Sequence, residues 1–484
     1  MGTGKDSMLK LAPSFIILLF LYVAVAWLSP GFDDEYFNIT TIEKGYTYFD
    51  LITFINSMDV HPPGQYVLNK VFWNITNDWS AVRVFSACFT AISIWFLWLN
   101  VAKGASQFTK TFSYIVICLN PALLLWCTSV RWYAYFVPVF TLLALLIRIN
   151  PKDSLKYWGS FYFLALMLFM IGYAAVILVP AGLAVALYAR KDMMRSEIKV
   201  IVTLGIITLL LATYQLTVLF LVHLNNMASQ PSDYIKATGG LILHLLSNQG
   251  AMPISLFGLS LVGANLILLW AWFMVRRKAQ FESLSGLFIL SIFGLFVTKL
   301  TSKLRNLVTV SAIQGVFQTK LYEGITSKPF LIAIIALFAV GNLGSIYNIY
   351  MHRDTTKGGW NIPYGDVLAD INEKRNSLDC ISMQVVAHDP VIVYHAEKLA
   401  FKTVFVGERN WKEDIVNYKG CHATVQTFRG NSPQSLMVEY HDLIDQLPHK
   451  KDRISFGQDR FAQFKRRFSP DIPDYYVTVT YFSS

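Results

Sequence analysis

The 484-residue chain is short of charged residues. Only 15% are Asp, Glu, Lys or Arg, against roughly a quarter in an ordinary soluble domain, while 54% are hydrophobic and 15% aromatic. A globule of this size with so few charges cannot present a water-exposed surface. The composition therefore excludes a soluble globular protein and predicts that most of the chain lies in lipid.

Other signals are also missing. Residues 352–484 contain neither a glycine-rich phosphate loop nor zinc-type cysteine spacing, and no internal repeat is seen in the chain. The formal charge of +10 arises outside this tail, which has 17 basic and 17 acidic residues, against 24 and 14 in the rest. The excess is therefore a membrane-topology signal, and no nucleic-acid partner is expected.

Apolar runs of about 20 residues, the length that crosses the hydrocarbon core, recur through the first 350 residues. The first follows Lys5 and Lys10, is longer than the core of a signal peptide and is followed by further spans, so we expect a retained helix. The eleven predicted spans are 11–29, 80–102, 111–129, 133–149, 157–172, 174–189, 200–222, 251–275, 282–298, 306–319 and 329–348.

Basic residues orient these spans. With the N-terminus in the cytoplasm, 16 Lys and Arg fall in cytoplasmic segments and eight in outer ones, a bias typical of multi-pass proteins. Loop 30–79, segment 223–250 and the tail then lie on the outer side. Span 306–319 is short and only moderately apolar, and the tail would be cytoplasmic if it did not cross.

The tail, 351–484, predicts a small soluble α/β domain. Its helical periodicity covers 367–376, and its β-rich runs are 383–386, 391–394, 403–406 and 423–427. Cys380 and Cys421 are its only cysteines. They form a disulfide if the tail lies in an oxidising compartment, and two unrelated thiols are the alternative.

Three carboxylates, Asp33-Asp34-Glu35, come directly after the first span. Adjacent negative charges at a membrane interface repel one another and raise at least one pKa, which suits a group that accepts a proton near neutral pH. The plain alternative is a solvated acidic turn that marks the end of the helix. We expect a catalytic cluster because the same loop also carries a histidine next to two prolines.

That element is His61-Pro62-Pro63. The two prolines fix the backbone, so His61 would point in a defined direction, and residues 65–73 can form a short interfacial helix. The stretches 37–42 and 48–55 are likewise expected to rest between lipid and water. A lone histidine in a turn is usually structural, and that reading stays open for His61.

Basic residues also occur on the predicted outer side, against the general trend. Arg131, in Arg131-Trp132-Tyr133, lies between the third and fourth spans, and Lys303 and Arg305 precede the tenth. An arginine at this depth is costly unless it is paired or lines a wet cavity, although it can also snorkel to the interface. A lipid phosphate would supply a partner for these cations.

Together these elements resemble the GT-C superfamily of membrane glycosyltransferases, in particular the branch with protein O-mannosyltransferases and aminoarabinose transferases of lipid A. Members carry an acidic motif after the first span, a His-Pro-Pro-like element, an Arg-x-Tyr element and a late basic pair. The matching elements, in the same order, are Asp33-Asp34-Glu35, His61-Pro62-Pro63, Arg131-Trp132-Tyr133 and Arg305-Asn306. The resemblance covers roughly residues 1–350.

Two features depart from that branch: Gly64-Gln65 comes after the prolines where leucine is usual, and the tail is short. Size and layout also resemble phage-type serotype-converting glucosyltransferases, which decorate bacterial O-antigen. The resemblance thus implies a polytopic α-helical GT-C-like membrane protein of about eleven transmembrane helices with a small C-terminal α/β soluble domain. It would reside in a bacterial inner membrane, with its active site and tail in the periplasm.

The resemblance also implies roles for residues. Asp34, with Asp33 as alternative, would be the base, Glu35 and His61 would orient it or the acceptor, and Arg131, Tyr133, Lys303 and Arg305 would bind the substrate. A sugar, glucose in the nearest analogy, would pass with inversion from a polyprenyl-phosphate donor to a lipid-linked glycan. No cofactor is required, and a divalent cation (Mg or Mn) on Asp33, Asp34 and Glu35 is an open alternative.

Two other classes share these features. A transporter or flippase of lipid-linked glycans also has many spans and buried charge, but usually shows repeated halves and interrupted helices. A glycan polymerase or ligase also uses polyprenyl-linked sugars, commonly through arginines in a large outer loop. Charged residues gathered at one interface favour a transferase over both.

Overall fold

A computed structural model of the protein describes residues 3–28, 33–43, 45–58, 61–192, 194–218, 234–247, 256–275, 283–298, 300, 304–350, 364–377, 382–387, 389–406, 411–418, 420–429, 450–456 and 475–482. The chain divides into two compact units. One comprises Met1–Ser29 and Ile42–Met351, and the other comprises Pro30–Thr41 and His352–Ser484.

Helices make up the first unit. Up to the middle of the chain they are α1 (Thr3–Leu28), α2 (Asp33–Glu43, which runs across the boundary of the units), α3 (Tyr48–Met58), α4 (Gly64–Thr76), α5 (Trp79–Ala102), α6 (Gln107–Ser113), a π-helical turn (Tyr114–Cys118), α7 (Pro121–Cys127), α8 (Trp132–Ile149), α9 (Ser154–Ile171), α10 (Ala175–Ala189) and α11 (Met194–Val218). The remaining ones are α12 (Tyr234–Ser247), α13 (Leu256–Val275), α14 (Ser283–Val297), α15 (Leu304–Leu307), a 3-10 turn (Val308–Val310), α16 (Ser311–Glu323) and α17 (Lys328–Tyr350).

Within the described ranges, six helices are long and apolar enough to cross a membrane: Trp79–Ala102, Gln107–Cys127, Trp132–Ile149, Ser154–Ile171, Arg195–Val218 and Lys328–Tyr347. Five shorter helices are also apolar: Pro13–Trp27, Ala175–Ala189, Ala237–Leu246, Leu259–Trp270 and Ser283–Val297. Large apolar side chains such as Phe20 and Leu210 face outward, as expected for contact with lipid. The chain is thus a multi-pass membrane protein.

The predicted count of eleven spans stays a prediction. Its weakest member, 306–319, falls on the 3-10 turn and α16, which belong to neither of these two groups of helices. Gln314, Gln318 and Thr319 of α16 are buried inside the bundle, where Gln318 Nε2 donates to Asn265 Oδ1 at 2.7 Å. Polar side chains used inside the bundle explain why this segment is only moderately apolar.

One irregular turn inside the bundle accepts a hydrogen bond from a residue far along the chain. The π-helical turn Tyr114–Cys118 lies between α6 and α7, and such turns disturb the regular backbone ladder. Asn342 of α17, which is fully buried, donates through Nδ2 to the Ile115 carbonyl at 2.9 Å. This bond satisfies a backbone acceptor inside the bundle, where an unsatisfied polar group would be costly.

A fully buried ion pair lies where α8 ends, α9 begins and α10 ends. Arg190 donates to both carboxylate oxygens of Glu197, through Nε at 2.9 Å and through a terminal nitrogen. Its other terminal nitrogen donates to Asn150 Oδ1 at 2.7 Å and to the Pro151 carbonyl at 2.6 Å. Trp158 donates to Glu197 at 2.7 Å. Arg190 is one of the 16 basic residues in the predicted cytoplasmic segments. These contacts make it a structural residue of the bundle.

The tail contains helices α18 (Tyr364–Ser377), α19 (Pro390–Lys398) and α20 (Trp411–Val416) and strands β1 (Met383–Ala387), β2 (Lys402–Phe405), β3 (Cys421–Arg429), β4 (Lys450–Phe456) and β5 (Tyr475–Phe482). The strands form one sheet in the order β2-β1-β3-β5-β4. β1 runs parallel to β2 and β3, whereas β5 is antiparallel to β3 and β4.

One predicted strand of the tail is wrong. Residues 391–394 lie in α19, which begins at Pro390. Proline is favoured in the first turn of a helix because it has no N–H to leave unsatisfied. Ile392 and Ala396, four residues apart, are both fully buried, so burial of one helical face outweighs the strand preference of the β-branched residues.

Cys421 at the start of β3 is disulfide-bonded. Cys88, Cys118 and Cys127 are free thiols. Cys380, the remaining cysteine of the five, lies outside the described residues.

Candidate active site

His61 is held among aromatic rings. Pro62 and Pro63, which follow it in the chain, are buried, and Pro63 is the residue directly before α4. The His61 ring lies 5.8 Å from the Trp132 ring and 6.2 Å from the Tyr173 ring. The two prolines thus direct His61 toward the start of α8 and the segment after α9, as fixed backbone geometry predicts.

α4 packs closely on the end of α9. A side-chain carbon at Gly64 would overlap the carbonyl oxygen of Met170, so only glycine fits at this position without displacing a helix. Similarly, a side-chain carbon at Gly172 would lie 2.6 Å from the Trp132 ring. Two glycines therefore allow the contact between α4, α8 and α9 that positions His61.

The start of α8 carries a buried cation. Arg131 is the residue that precedes the first turn, with extended backbone (φ −128°, ψ 164°), and it is 6% exposed. A buried arginine at the N-terminus of an 18-residue helix adds its charge to the positive end of the helix dipole, and both favour an anion. Because Arg131 is buried, the interfacial snorkelling alternative does not describe it.

The aromatic residues beside Arg131 pack against other rings, and the predicted role of Tyr133 in binding the substrate stays a prediction. Trp132 and Tyr133 are buried, and Tyr133 lies edge-on against Trp126 with 5.2 Å between ring centroids. Trp132 similarly packs against Phe136 at 5.4 Å. Their rings shape the wall beside Arg131.

The inward face of α4 is polar throughout. Its buried residues are Gln65, Tyr66, Asn69 and Lys70. Tyr135 of α8 donates its hydroxyl to Asn69 Oδ1 at 2.7 Å. Lys70 lies 5.7 Å from the centre of the Tyr48 ring, in α3.

Sequence reasoning missed these polar residues of α4 and a second buried arginine, Arg83 of α5. From the sequence alone Arg83 is counted only as one of the eight basic residues on the predicted outer side. Ser86, one turn further along α5, donates to the Cys127 carbonyl at 3.4 Å, which joins α5 to the end of α7. Gln65, Asn69, Lys70 and Arg83 are charged or amide groups in an otherwise apolar region, a pattern that marks functional candidates in membrane proteins.

The acidic cluster forms the first turn of α2. Glu35 is fully buried, which excludes a solvated turn for that residue. The side chains of Asp33 and Asp34 lie outside the described residues, so their catalytic role stays a prediction.

The late basic pair is described only in part. Arg305 lies in α15, but its side chain and all of Lys303 lie outside the described residues. Asn306 donates to the Leu300 carbonyl at 3.0 Å, and Thr309 donates to the Asn306 carbonyl at 2.7 Å. The phosphate-binding roles of Lys303 and Arg305 therefore also stay predictions.

Where side chains are described, no three His, Cys, Asp or Glu residues are grouped as a metal site would require. The search does not reach the side chains of Asp33 and Asp34. A divalent cation bound by the acidic cluster therefore stays an untested alternative.

The described residues thus place buried cations and a polar helix, α4, where α8 begins and α9 ends within a bundle of apolar helices. ArnT from Cupriavidus metallidurans in the apo state has the same fold, with a TM-score of 0.53 and 12% identity over 97% of this chain and 98% of that one. ArnT bound to undecaprenyl phosphate gives a TM-score of 0.52 and 10% identity over 99% and 98%. This likeness confirms the predicted GT-C-like fold.

No known protein family and no curated protein matches the sequence. At 10% to 12% identity the likeness to ArnT, an aminoarabinose transferase, concerns the fold, and the chemistry has to be argued from the residues.

Proposed function

We propose that the protein is a glycosyltransferase that takes a sugar from a polyprenyl-phosphate donor. The observation that carries this proposal is the buried Arg131 at the N-terminus of α8, in a fold shared with a protein that binds undecaprenyl phosphate. A guanidinium and a helix N-terminus together suit a phosphate group. The ring of His61 lies beside the next residue, Trp132.

In the proposed reaction the bond between the anomeric carbon and the phosphate oxygen breaks while an acceptor hydroxyl attacks from the opposite face. The anomeric carbon is inverted. Asp34, or Asp33 in its place, takes the proton of the hydroxyl. The phosphate keeps the electron pair of the broken bond and leaves on the polyprenol, where Arg131, Lys303 and Arg305 stabilise its charge.

Glu35 and His61 orient the base or the acceptor in this scheme. We propose glucose as the sugar and a lipid-linked glycan such as O-antigen as the acceptor, by analogy with the serotype-converting enzymes. In an alternative that the scheme does not need, Asp33, Asp34 and Glu35 would hold a divalent cation (Mg or Mn), which would supply positive charge to stabilise the leaving phosphate.

We place the reaction at the periplasmic face of a bacterial inner membrane. The basic residues of the short loops support this orientation. The disulfide of Cys421 also supports it, because stable disulfides form in oxidising compartments. Thiol labelling of Cys421 from either side of sealed inverted vesicles, after reduction, tests the orientation: labelling from the cytoplasmic side contradicts it.

The central test uses purified protein, a panel of synthetic polyprenyl-phosphate sugars beginning with glucose, and lipid-linked glycan acceptors. Asp34→Asn is expected to lower the transfer rate at least ~100-fold, because general-base catalysis contributes about that much or more. Asp50→Asn is the matched control, since Asp50 is an exposed carboxylate of α3 that accepts the Thr47 hydroxyl at 2.6 Å.

Transfer that survives in Asp33→Asn, in Asp34→Asn and in the double variant would remove the proposed base. Arg131→Gln provides a separate arm of the test. It is expected to weaken binding of polyprenyl phosphate itself, measured without any sugar, because the charge-assisted contact is lost. Undiminished binding in that variant would remove the proposed phosphate site.

A further inference from the structure

α4 has its polarity reversed relative to an ordinary surface helix. All four of its buried residues, Gln65, Tyr66, Asn69 and Lys70, can form hydrogen bonds, whereas Val71 and Ile75 are 39% and 69% exposed. In water the apolar face of such a helix would turn inward. In α4 a row of donors and acceptors faces the interior instead, and the exposed side carries Val71, Ile75 and the polar Asn74.

Gln65 is the residue of this row that the fold leaves unsatisfied. It is fully buried, and neither Nε2 nor Oε1 has a hydrogen-bond partner among the residues that the structure describes. Asn69, one turn further on, uses Oδ1 for Tyr135 while its Nδ2 has no partner in the same set. A buried amide left in this state costs on the order of 1–3 kcal/mol, so the fold has no reason of its own to keep it.

The open groups face a defined neighbourhood. Gln65 lies four residues after His61, whose ring contacts Trp132 and Tyr173. Asn69 is joined to α8 through Tyr135, four residues after Arg131. The unsatisfied amides therefore lie on α4 just after His61, and the Asn69 amide is hydrogen-bonded to the helix that begins after Arg131.

The chemistry of the amides selects the kind of ligand. A carboxamide offers one acceptor and two donors, which match a neutral hydroxyl that both donates and accepts. Phosphate needs donors and charge, which Arg131 offers, and a metal ion prefers carboxylates. Two amides one helical turn apart fit a molecule with several hydroxyl groups.

We propose that Gln65 and Asn69 bind hydroxyl groups of the sugar and decide which sugar the protein accepts. This inference rests on the proposed glycosyl transfer and adds its specificity-determining residues. The hydroxyls belong to a sugar of the donor or of the acceptor, and the experiment separates the two.

The test replaces Gln65 with Met, which keeps the length of the side chain and removes both hydrogen-bonding atoms. Steady-state transfer is measured with intact donors and with donors that lack one hydroxyl at a time, and then with the corresponding deoxy acceptors. The wild type is expected to lose about three- to ten-fold in kcat/KM for one particular deoxy sugar, the value of one hydrogen bond. Gln65→Met is expected to show the same loss with the intact sugar and no further loss with that deoxy sugar.

The arm in which the loss appears, donor or acceptor, identifies which sugar Gln65 contacts. A second measurement does not depend on turnover. The sugar-bearing donor is expected to raise the melting temperature of the wild type more than polyprenyl phosphate alone does, and Gln65→Met is expected to lose only this sugar-dependent increment.

Gln318→Met is the matched control. Gln318 is a buried amide of α16 whose Nε2 donates to Asn265 Oδ1, so its replacement breaks a bond within the protein and is expected to lower thermal stability and leave sugar preference unchanged. Gln65→Met, which removes an unsatisfied amide, is expected to be at least as stable as the wild type.

Three results would overturn the inference. One is a deoxy-sugar profile of Gln65→Met that equals the wild-type profile, and another is a loss of stability as large as that of Gln318→Met. In both cases the wild type still transfers sugar and the proposed function stands. The third is a wild type that neither transfers nor is stabilised by any polyprenyl-phosphate sugar, which removes the proposed function and this inference with it.

Discussion

The two ends of the helical bundle use buried polar groups in opposite ways. Where α8 ends and α9 begins, Arg190 and Glu197 are satisfied by each other, by Asn150 and by Trp158, and Arg190 also lies 4.4 Å from the Tyr157 ring. Where α8 begins and α9 ends, the amide of Gln65 has no partner in the described part of the chain. A saturated cluster holds helices together, whereas an unsaturated one is available to a ligand.

Glu197→Gln should have the largest effect on stability. It leaves the buried Arg190 without a counter-charge, and breaking a buried ion pair by removal of one partner costs about 3–5 kcal/mol. Thermal unfolding in detergent is the measurement. Glu323→Gln, at a partly exposed pair with Lys320 (2.8 Å), is the control and should cost about 1 kcal/mol or less.

The contrast between a structural cluster at one end and a ligand-binding cluster at the other would be wrong if Glu197→Gln changed sugar selectivity without lowering the melting temperature. The cluster would then be part of a substrate path and not a structural tie.

Gly64→Ala should come next. The added carbon overlaps the Met170 carbonyl, and overpacking of this kind costs about 1–3 kcal/mol. Because α4 must move away from α9, transfer activity is expected to fall along with stability. Gly159→Ala in α9 is the control, since nothing lies within 4 Å of the added carbon, and alanine should stabilise the helix by roughly 0.5–1 kcal/mol.

Equal stability of Gly64→Ala and Gly159→Ala would show that α4 does not pack closely against α9. The placement of His61 and Gln65 relative to α8 would then need another support.

Tyr135→Phe should have the smallest effect on stability. It removes the donor to Asn69 Oδ1, worth about 1 kcal/mol, and frees a second amide on the polar face of α4. We expect a small drop in melting temperature and a larger change in the KM for the sugar than in kcat. A change in kcat alone would place Tyr135 in the chemical step and not in binding.

Much of the fold is predictable because long apolar runs have few alternatives in lipid. The apolar runs of α5, α8 and α9 predict those helices to within a few residues of their ends. His61 and Arg131 could be singled out from the sequence because two prolines follow His61 and because Arg131 is a charged residue between two apolar runs. The α19 segment reads as a strand because the sequence Val391-Ile392-Val393 favours strands locally, while the buried pair Ile392 and Ala396 forms only in the folded domain.

The polar face of α4 could not be assigned from sequence. Gln65, Asn69 and Lys70 recur at helical spacing, which by itself predicts a face toward water. Only the packing of α4 against α5 and α9, together with the hydrogen bond from Tyr135, reveals that this face points inward. The structural role of Arg190 is hidden for a similar reason, because Glu197 meets Arg190 and Trp158 only when α11 packs against α9.

The bond between Asn342 and the Ile115 carbonyl has a consequence for biogenesis. The chain is synthesised from its N-terminus. The Ile115 carbonyl in the π-helical turn therefore enters the membrane before its donor, Asn342, which is synthesised 227 residues later. Insertion of α17 therefore completes a region of the bundle that was threaded into the bilayer early. Truncated chains that stop before α17 should be recognised by membrane quality control even though every earlier helix is present.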